Sequence, residues 1–536
     1  MASRRALASP FADVEIPDLP LTEFVLGGGR DRPDAPALID GLKGDTITHG
    51  QLAGHVDRVA AALHERGLRQ GDVVAVLCPN TPWYPVVFHG IAAAGLITSP
   101  INSLYRATEI AHQITDSGAK VLVTISLFLE QARAATAQAP VEEIIVLDGA
   151  DGHTSLLDLL ASTAPTPDLH IDPATDLVAL PYSSGTTGLP KGVMLTHRNL
   201  VANVAQSSAL IDLHEGDERV IAVLPFFHIY GLTVLMNQGL YWGATVVTLP
   251  RFDLADFLRT IQDHTITRAF VAPPIVLALA KHPAVDDYDL SSLRSITSGA
   301  APLDAGVAQA AEERLRKGDR DGVTIVQGYG MTELSPVSHT TPDTGRGPAG
   351  AADDVPKGSV GYALPNTECR LVEPGTDTDV GPGGRGELWV RGPQVMAGYL
   401  HNAQATAETV DAEGWLHTGD VAVVDERGRY TVVDRVKELI KYKGYQVAPA
   451  ELEAELLAHP EISDAAVIGV LDRESGEELP KAFVVRTDDS TLTEDDVKAF
   501  IAGRVAPQKK IRLVEFIDTI PKSAAGKILR KDLKNR

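Results

Sequence analysis

The chain has 536 residues, 44% hydrophobic and 22% charged, with a net charge of −23 at pH 7. That length exceeds one ordinary core and predicts two or more domains, while the acidic balance excludes nucleic-acid binding through a broad basic surface and leaves room for a local anion pocket. Cys78 and Cys369 lie far apart without metal-ligand spacing, which excludes a disulfide framework or zinc cluster and points to a reducing cytoplasm.

The opening "MASRRALASPFADVEIPDLP" has two arginines but no apolar core behind them, so no signal peptide is expected. No apolar run reaches the length of a membrane span. "QLAGHVDRVAAALHERG" sets Leu52, Val56, Val59 and Leu63 on one helical face, with Gly67 as the C-terminal stop. Short apolar runs follow as strands: "VVAVLC", "AKVLVTI", "EEIIVLDG", "DLVALPYS", "RVIAVLP", "ATVVTLP" and "VTIVQGYG". Helical segments such as "LADFLRTIQDH" lie between some of them, which predicts parallel sheets covered on both faces. Residues 340–358, rich in Gly, Pro and Asp, read as an exposed loop, and 421–434 as a hairpin turning at Glu426–Gly428. Beyond it a smaller pattern restarts, with helices in "PAELEAELLAHP" and "EDDVKAFIAGRV" and strands in "DAAVIGVLD", "KAFVVRT" and "IRLVEFID". The expected architecture is α/β: a large N-terminal domain, 1–434, with parallel-rich sheets flanked by helices, and a small α+β domain, 435–536.

"YSSGTTGLPKG" has the chemistry of a phosphate loop. Ser183, Ser184, Thr186 and Thr187 offer hydroxyls, Gly185 and Gly188 let backbone amides approach, and Lys191 adds charge. It is not a Walker A loop, because the spacing differs and no Ser or Thr follows the lysine. Pro190 and Gly192 also oppose immediate entry into a helix. A bare Ser/Thr/Gly cluster is more often a flexible turn, but this one follows an apolar strand and ends in Lys-Gly.

This stretch resembles the signature of the adenylate-forming enzymes: acyl- and aryl-CoA ligases, beetle luciferases and peptide-synthetase adenylation domains. "LPFFHIYG", "SGAAP", "QGYGMTE", "GELWVRG", "HTGD", "VDRVKELIKYKGYQVAPAELE" and "PKSAAGKILRK" follow in the family's order, over nearly the whole chain. Within the family the chain is most similar to 4-coumarate–CoA ligases and related acyl-CoA ligases. The resemblance implies ATP, Mg2+ and the co-substrate coenzyme A. An acyl-adenylate and pyrophosphate form first, then acyl-CoA and AMP.

It also implies residue roles. The 183–191 loop and Gln327, Gly328, Tyr329, Gly330, Thr332, Asp420, Arg435 and Lys527 would bind ATP or AMP, with Tyr329 on the adenine and Asp420 and Arg435 on the ribose. Thr186 and Glu333 would hold the metal. Lys527 would bridge carboxylate and α-phosphate, and Asp434 would be the hinge of a mobile small domain. Lys441 and Gln446 would join Lys527 and His228 in catalysis, and Lys443 and Gly444 would meet coenzyme A.

His228, Tyr230, Gly231, Thr233, Thr297, Ala300, Gly330, Pro336 and Val337 would line the acid pocket, their small residues leaving room for a flat or extended group. Plant coumarate enzymes carry a lysine and often an asparagine where Thr297 and Thr233 stand here, so discrimination for a phenol hydroxyl is expected to weaken. Hydroxycinnamate, cinnamate and a medium- or long-chain fatty acid all remain open as substrates. A luciferase-like monooxygenase and a free-standing enzyme that loads a carrier protein are the alternatives in class. Monomer and homodimer are both open, with no nucleic acid or membrane span expected.

Overall fold

The helix foreseen from Leu52, Val56, Val59 and Leu63 runs His49–Glu65, with all four side chains buried. Thr48 caps it: its hydroxyl accepts from the Gln51 amide while the Gln51 side chain takes the Thr48 N–H. Gly67 follows in the left-handed region, φ +91°. This computed structural model describes residues 6–183, 190–213, 218–316, 322–348, 355–442, 445–472, 477–488, 490–523, 526–534 and 536, without the side chains of Lys441, Tyr445 and Gln446.

Among the described residues, two large mixed sheets organise the N-terminal domain. The first runs, in spatial order, Gly398–Tyr399, Lys191–Thr196, Leu177–Ala179, Ile97–Pro100, Val73–Leu77, Val121–Thr124 and Glu143–Val146. It is parallel from Leu177–Ala179 onward and antiparallel at Lys191–Thr196. The second is parallel across Thr324–Gly330, Ser295–Ser298, Arg268–Val271, Arg219–Ala222, Thr245–Thr248 and Pro36–Asp40. One continuous core joins both sheets to the helices, including Phe88, Phe226 and Phe257 at 1% exposure or less. The apolar runs therefore form strands buried on both faces, as their unbroken hydrophobicity predicts.

A third sheet was not foreseen beyond its hairpin. Leu7–Ala8, Glu368–Val372, Gly386–Arg391, Leu416–Val424 and Tyr430–Arg435 pair antiparallel throughout. The turn between the last two strands holds Gly428 at φ +79°.

The small C-terminal domain pairs Ile462–Leu471 with Glu478–Arg486 and Leu513–Phe516, and packs helices Pro449–Leu457 and Glu494–Ala502 on them. Its own apolar clusters draw only on residues 440–533.

The 340–358 reading needs correction. Thr340, Thr341 and Pro342 are buried. Asp343 pairs with buried Arg268 at 2.7 Å and accepts from the Asp212 N–H at 2.9 Å. Only the following residues run exposed, and 349–354 lie outside the described residues. Composition misled because Pro and Asp serve an anchor as readily as a loop.

Candidate active site

The third sheet and the second meet at Asp420. Its strand places it opposite Arg435 in the antiparallel register, and Arg435 Nε stands 3.3 Å from Asp420 Oδ1. The Tyr329 hydroxyl, at the end of the strand Thr324–Gly330, donates to Asp420 Oδ2 at 2.6 Å. Burial raises the Asp420 carboxyl above its ordinary range, and Arg435 pulls it back. Burial and the neighbouring carboxylate also push the Tyr329 phenol well up, so the phenol keeps its proton near neutrality. Each Asp420 oxygen already has one protein partner, and a carboxylate oxygen can accept a further hydrogen bond.

Lys527 reaches this place from the far end of the chain. Its loop is closed by the Ser523 N–H donating to the Lys527 carbonyl at 2.8 Å, and by the Lys527 N–H donating to Ser523 Oγ at 3.2 Å. Gly526, at φ +79°, lies against Ala272 and Pro274 at the start of helix Pro273–Lys281, so this loop of the small domain rests on the large one. Burial brings the Lys527 ammonium down from 10.5 to about 8; Arg435 acts the same way, opposed by Glu438 and Asp420. Lys527 is also near enough to His228 to add to the burial that lowers that imidazole to about 4. The Tyr230 N–H donates to His228 Nδ1 at 3.3 Å, which leaves the proton of the neutral ring on Nε2.

Arg530, three residues on, ties this loop down. It pairs with Glu438 at 2.8 Å, grips both oxygens of Glu453 at 2.7 and 2.8 Å, and donates to the Val467 carbonyl. The Glu438 N–H in turn donates to the Arg435 carbonyl. Asp434 accepts from the Arg435 N–H at 2.7 Å and the Ala450 N–H at 3.0 Å. Burial raises Asp434 to about 7.

On the acid side, Tyr230 donates to the Thr297 carbonyl at 3.2 Å. Thr233 sits in the π-helical turn Gly231–Gln238, a distortion often found at functional sites. Its hydroxyl is buried without a partner. Ala300 takes φ +70°. The small residues have a second reason to be there, beyond room for a substrate. A Cβ on Gly231 would stand 2.1 Å from the Pro225 carbonyl oxygen, and one on Gly330 2.0 Å from that of Pro336. Gln327 does not present its amide to this space: both its groups bond the Leu303 backbone, fixing the 299–303 loop.

At the two ends of the expected phosphate loop, Ser183 stands opposite Lys191 and Tyr182 opposite Gly192 in antiparallel register. Ser184, Gly185, Thr186, Thr187 and Gly188 lie outside the described residues, as do Lys443 and Gly444 and the side chains of Lys441 and Gln446. Thr332 and Glu333 share a tight turn next to Tyr329. The Glu333 carboxylate is buried, and its Oε1 accepts from the Tyr399 hydroxyl at 2.8 Å. No described residue bonds Oε2. A carboxylate oxygen without a protein partner is a fit donor for a hard cation, and Thr186, the other expected ligand, is outside the described residues.

Sequence reasoning missed Tyr399, Glu438, Glu453 and Arg530. Arg530 stands in the quoted "PKSAAGKILRK", where its charge three residues from Lys527 was the available signal. Tyr399 carries no such signal, because only the fold brings it to Glu333.

A small-domain lysine is thus set beside a buried carboxylate and its arginine partner in a large α/β domain. Residues 28–400 match the model of the AMP-binding enzyme family, and 451–527 that of the AMP-binding enzyme C-terminal domain. The 4-coumarate–CoA ligase 1 of Solanum tuberosum is 42% identical over 98% of this chain and 96% of its own, and 4-coumarate–CoA ligase 5 of Oryza sativa subsp. japonica is equally similar over the same shares. The anthranilate CoA ligase AuaEII, solved with anthranoyl-AMP, superposes with a TM-score of 0.87 at 27% identity, covering 97% of this chain and 98% of that one. ATP-bound MatB from Rhodopseudomonas palustris gives 0.84 at 30% identity, covering 96% and 98%. The chain belongs to the AMP-binding family of adenylate-forming enzymes, in its acid–CoA ligase branch. Among the described residues no helix is long and apolar enough to cross a membrane.

Proposed function

We propose that this enzyme is a 4-coumarate–CoA ligase-like aryl acid–CoA ligase that joins a cinnamic-type acid to coenzyme A at the expense of ATP. The observation that carries the reading is the meeting of Lys527, Asp420, Arg435 and His228 in one place, together with likeness to coumarate ligases along the whole chain.

On this reading a carboxylate oxygen attacks the α-phosphorus of ATP, the α–β anhydride breaks, and pyrophosphate leaves. The obstacle is the approach of one anion to another, so the site's work is to aim positive charge where negative charge gathers. Lys527 takes that role as an ammonium bridging the two reactants. Asp420 and Arg435 hold the ribose, and Tyr329 packs its ring on adenine while its hydroxyl steadies Asp420. Residues 183–191 and Thr332 bind the phosphates, with Gln327, Gly328 and Gly330 shaping the adenine wall by their backbone. Glu333 and Thr186 would hold Mg2+, which supplies charge neutralisation on the phosphates. In the second step the thiol sulfur of coenzyme A attacks the acyl carbon and AMP departs.

The small domain, on this reading residues 435–536, turns about Asp434 between the steps. Lys527 withdraws, and Lys441, Lys443, Gly444 and Gln446 come forward. His228 stays neutral at working pH and stands at the carboxylate end of a pocket walled by Tyr230, Gly231, Thr233, Thr297, Ala300, Gly330, Pro336 and Val337. The protein would act in the cytoplasm, as a monomer or homodimer.

The test is pyrophosphate release over a panel of cinnamic, benzoic and fatty acids, with and without coenzyme A. Sustained turnover to acyl-CoA with a cinnamate leading is the expected result. A fatty acid in the lead would move the enzyme to the acyl-CoA ligases of lipids. Release indifferent to coenzyme A would direct attention to a carrier protein or an oxidative second step.

A further inference from the structure

Lys191 and Glu333 both touch one side chain, that of Tyr399. The Lys191 ammonium lies over the Tyr399 ring, 4.7 Å from its centre, and the phenol hydroxyl donates to Glu333 Oε1 at 2.8 Å. The arrangement is built into the backbone. Strand Gly398–Tyr399 pairs with the strand that begins at Lys191, in the register Val193 opposite Tyr399. The Met396 N–H donates to the Glu333 carbonyl at 2.9 Å, and the Tyr399 N–H is fixed on Thr406 Oγ1 at 2.8 Å. Here a lysine and a carboxylate, drawn to each other by charge, are both held by an aromatic residue and do not pair.

We propose that Tyr399 is a positioning residue that keeps the phosphate-loop lysine and the metal-facing carboxylate apart. Its ring face attracts the ammonium without taking up its N–H donors. Its hydroxyl occupies one Glu333 oxygen and leaves Oε2 bare. A direct Lys191–Glu333 ion pair would cancel a phosphate-binding charge and a cation ligand together. The inference rests on the reading of Glu333 as the metal-facing group.

The test is the Mg2+ concentration needed for half-maximal ATP binding, followed by titration calorimetry on the full-length enzyme, with circular dichroism as the check of folding. Tyr399→Phe keeps the ring and removes only the hydroxyl. It should raise the Mg2+ midpoint about tenfold, as loss of a partner behind a metal ligand does, with the KM for the acid unchanged. In a Lys191→Met background, which has lost the phosphate-binding charge but also the competing cation, Tyr399→Phe should raise the midpoint far less than it does in the wild type. Glu333→Gln serves as reference. If it raises the midpoint and Tyr399→Phe does not, the role given to Tyr399 is wrong and the site reading stands. If neither moves it, the Glu333 assignment falls and the proposal with it. If Tyr399→Phe raises the midpoint as much without Lys191 as with it, Tyr399 does not separate the two charges. Should Tyr399→Phe fail to fold, Glu333→Asp, whose shorter arm draws the carboxylate away from the hydroxyl, must show the same rise or the proposal fails.

Discussion

Replacing Lys527 by alanine separates function from stability, because the fold holds this lysine at a cost. Its ammonium falls from 10.5 in free solution to about 8 here, chiefly through burial. At about 1.4 kcal/mol per tenfold change, that is about 3 kcal/mol against the folded, protonated form. The sign follows from proton binding. Below pH 8 both folded and unfolded lysines are protonated and the penalty is present in full. As pH rises through 8 the folded lysine loses its proton, and the penalty fades until about pH 10.5. Lys527→Ala should therefore melt no lower than the wild type at pH 7, with the gap narrowing toward pH 10. Meanwhile adenylation should fall about 100- to 1000-fold, the usual loss for one electrostatic contact to a transition state. The assay pairs calorimetric melting with two half-reactions: pyrophosphate release from acid and ATP, and thioester formation from synthetic acyl-adenylate. The second should survive. A variant that melts well below the wild type at pH 7, or loses both half-reactions equally while folded, refutes the reasoning.

The same lysine predicts a falling limb near pH 8 in kcat/KM for adenylation, absent from the thioester half-reaction; His228, lowered to about 4, should add no limb between pH 5 and 7. Thr297→Lys should raise kcat/KM for 4-coumarate relative to cinnamate, and an unchanged ratio in steady-state competition counts against the pocket map. Gly330→Ala, which sets a methyl carbon 2.0 Å from a backbone oxygen, should lower stability by about 1–3 kcal/mol or more in urea unfolding. Arg530→Met leaves the buried carboxylate of Glu453 and the half-buried one of Glu438 without their cation and should cost about 3–5 kcal/mol, measured the same way.

Much of this was legible in the sequence, and for definite reasons. Unbroken apolar runs such as "VVAVLC" form strands because a strand covered on both faces needs no polar alternation. Pro190 and Gly192 keep the phosphate loop from running straight into a helix, and the chain forms the strand Lys191–Thr196 before helix His197–Ser208 begins. What escaped depends on contacts distant in sequence. Strands Glu368–Val372 and Gly386–Arg391 are short, mixed in polarity and largely buried, and the first pairs with Leu7–Ala8, some 360 residues away. Asp343 sits in a loop-like composition yet anchors Arg268. Asn80 gives no local hint that its side chain holds Ala222, Leu224 and Phe226 in place just ahead of His228.

Asp420 and Arg435 face each other across neighbouring strands, and Asp434 comes directly before that arginine. On the proposed reading, the first residue beyond the pivot is thus also a wall of the nucleotide site. Any turn at Asp434 must alter how Arg435 meets Asp420, so the orientation of the small domain and the hold on the adenosine moiety form one equilibrium. By reciprocity, a nucleotide that favours one orientation is gripped most tightly in it, and a partner that drives the opposite orientation loosens that nucleotide by the same factor. Entry of coenzyme A and departure of AMP then become two readings of a single coupling energy, obtained by measuring either affinity in the presence of the other.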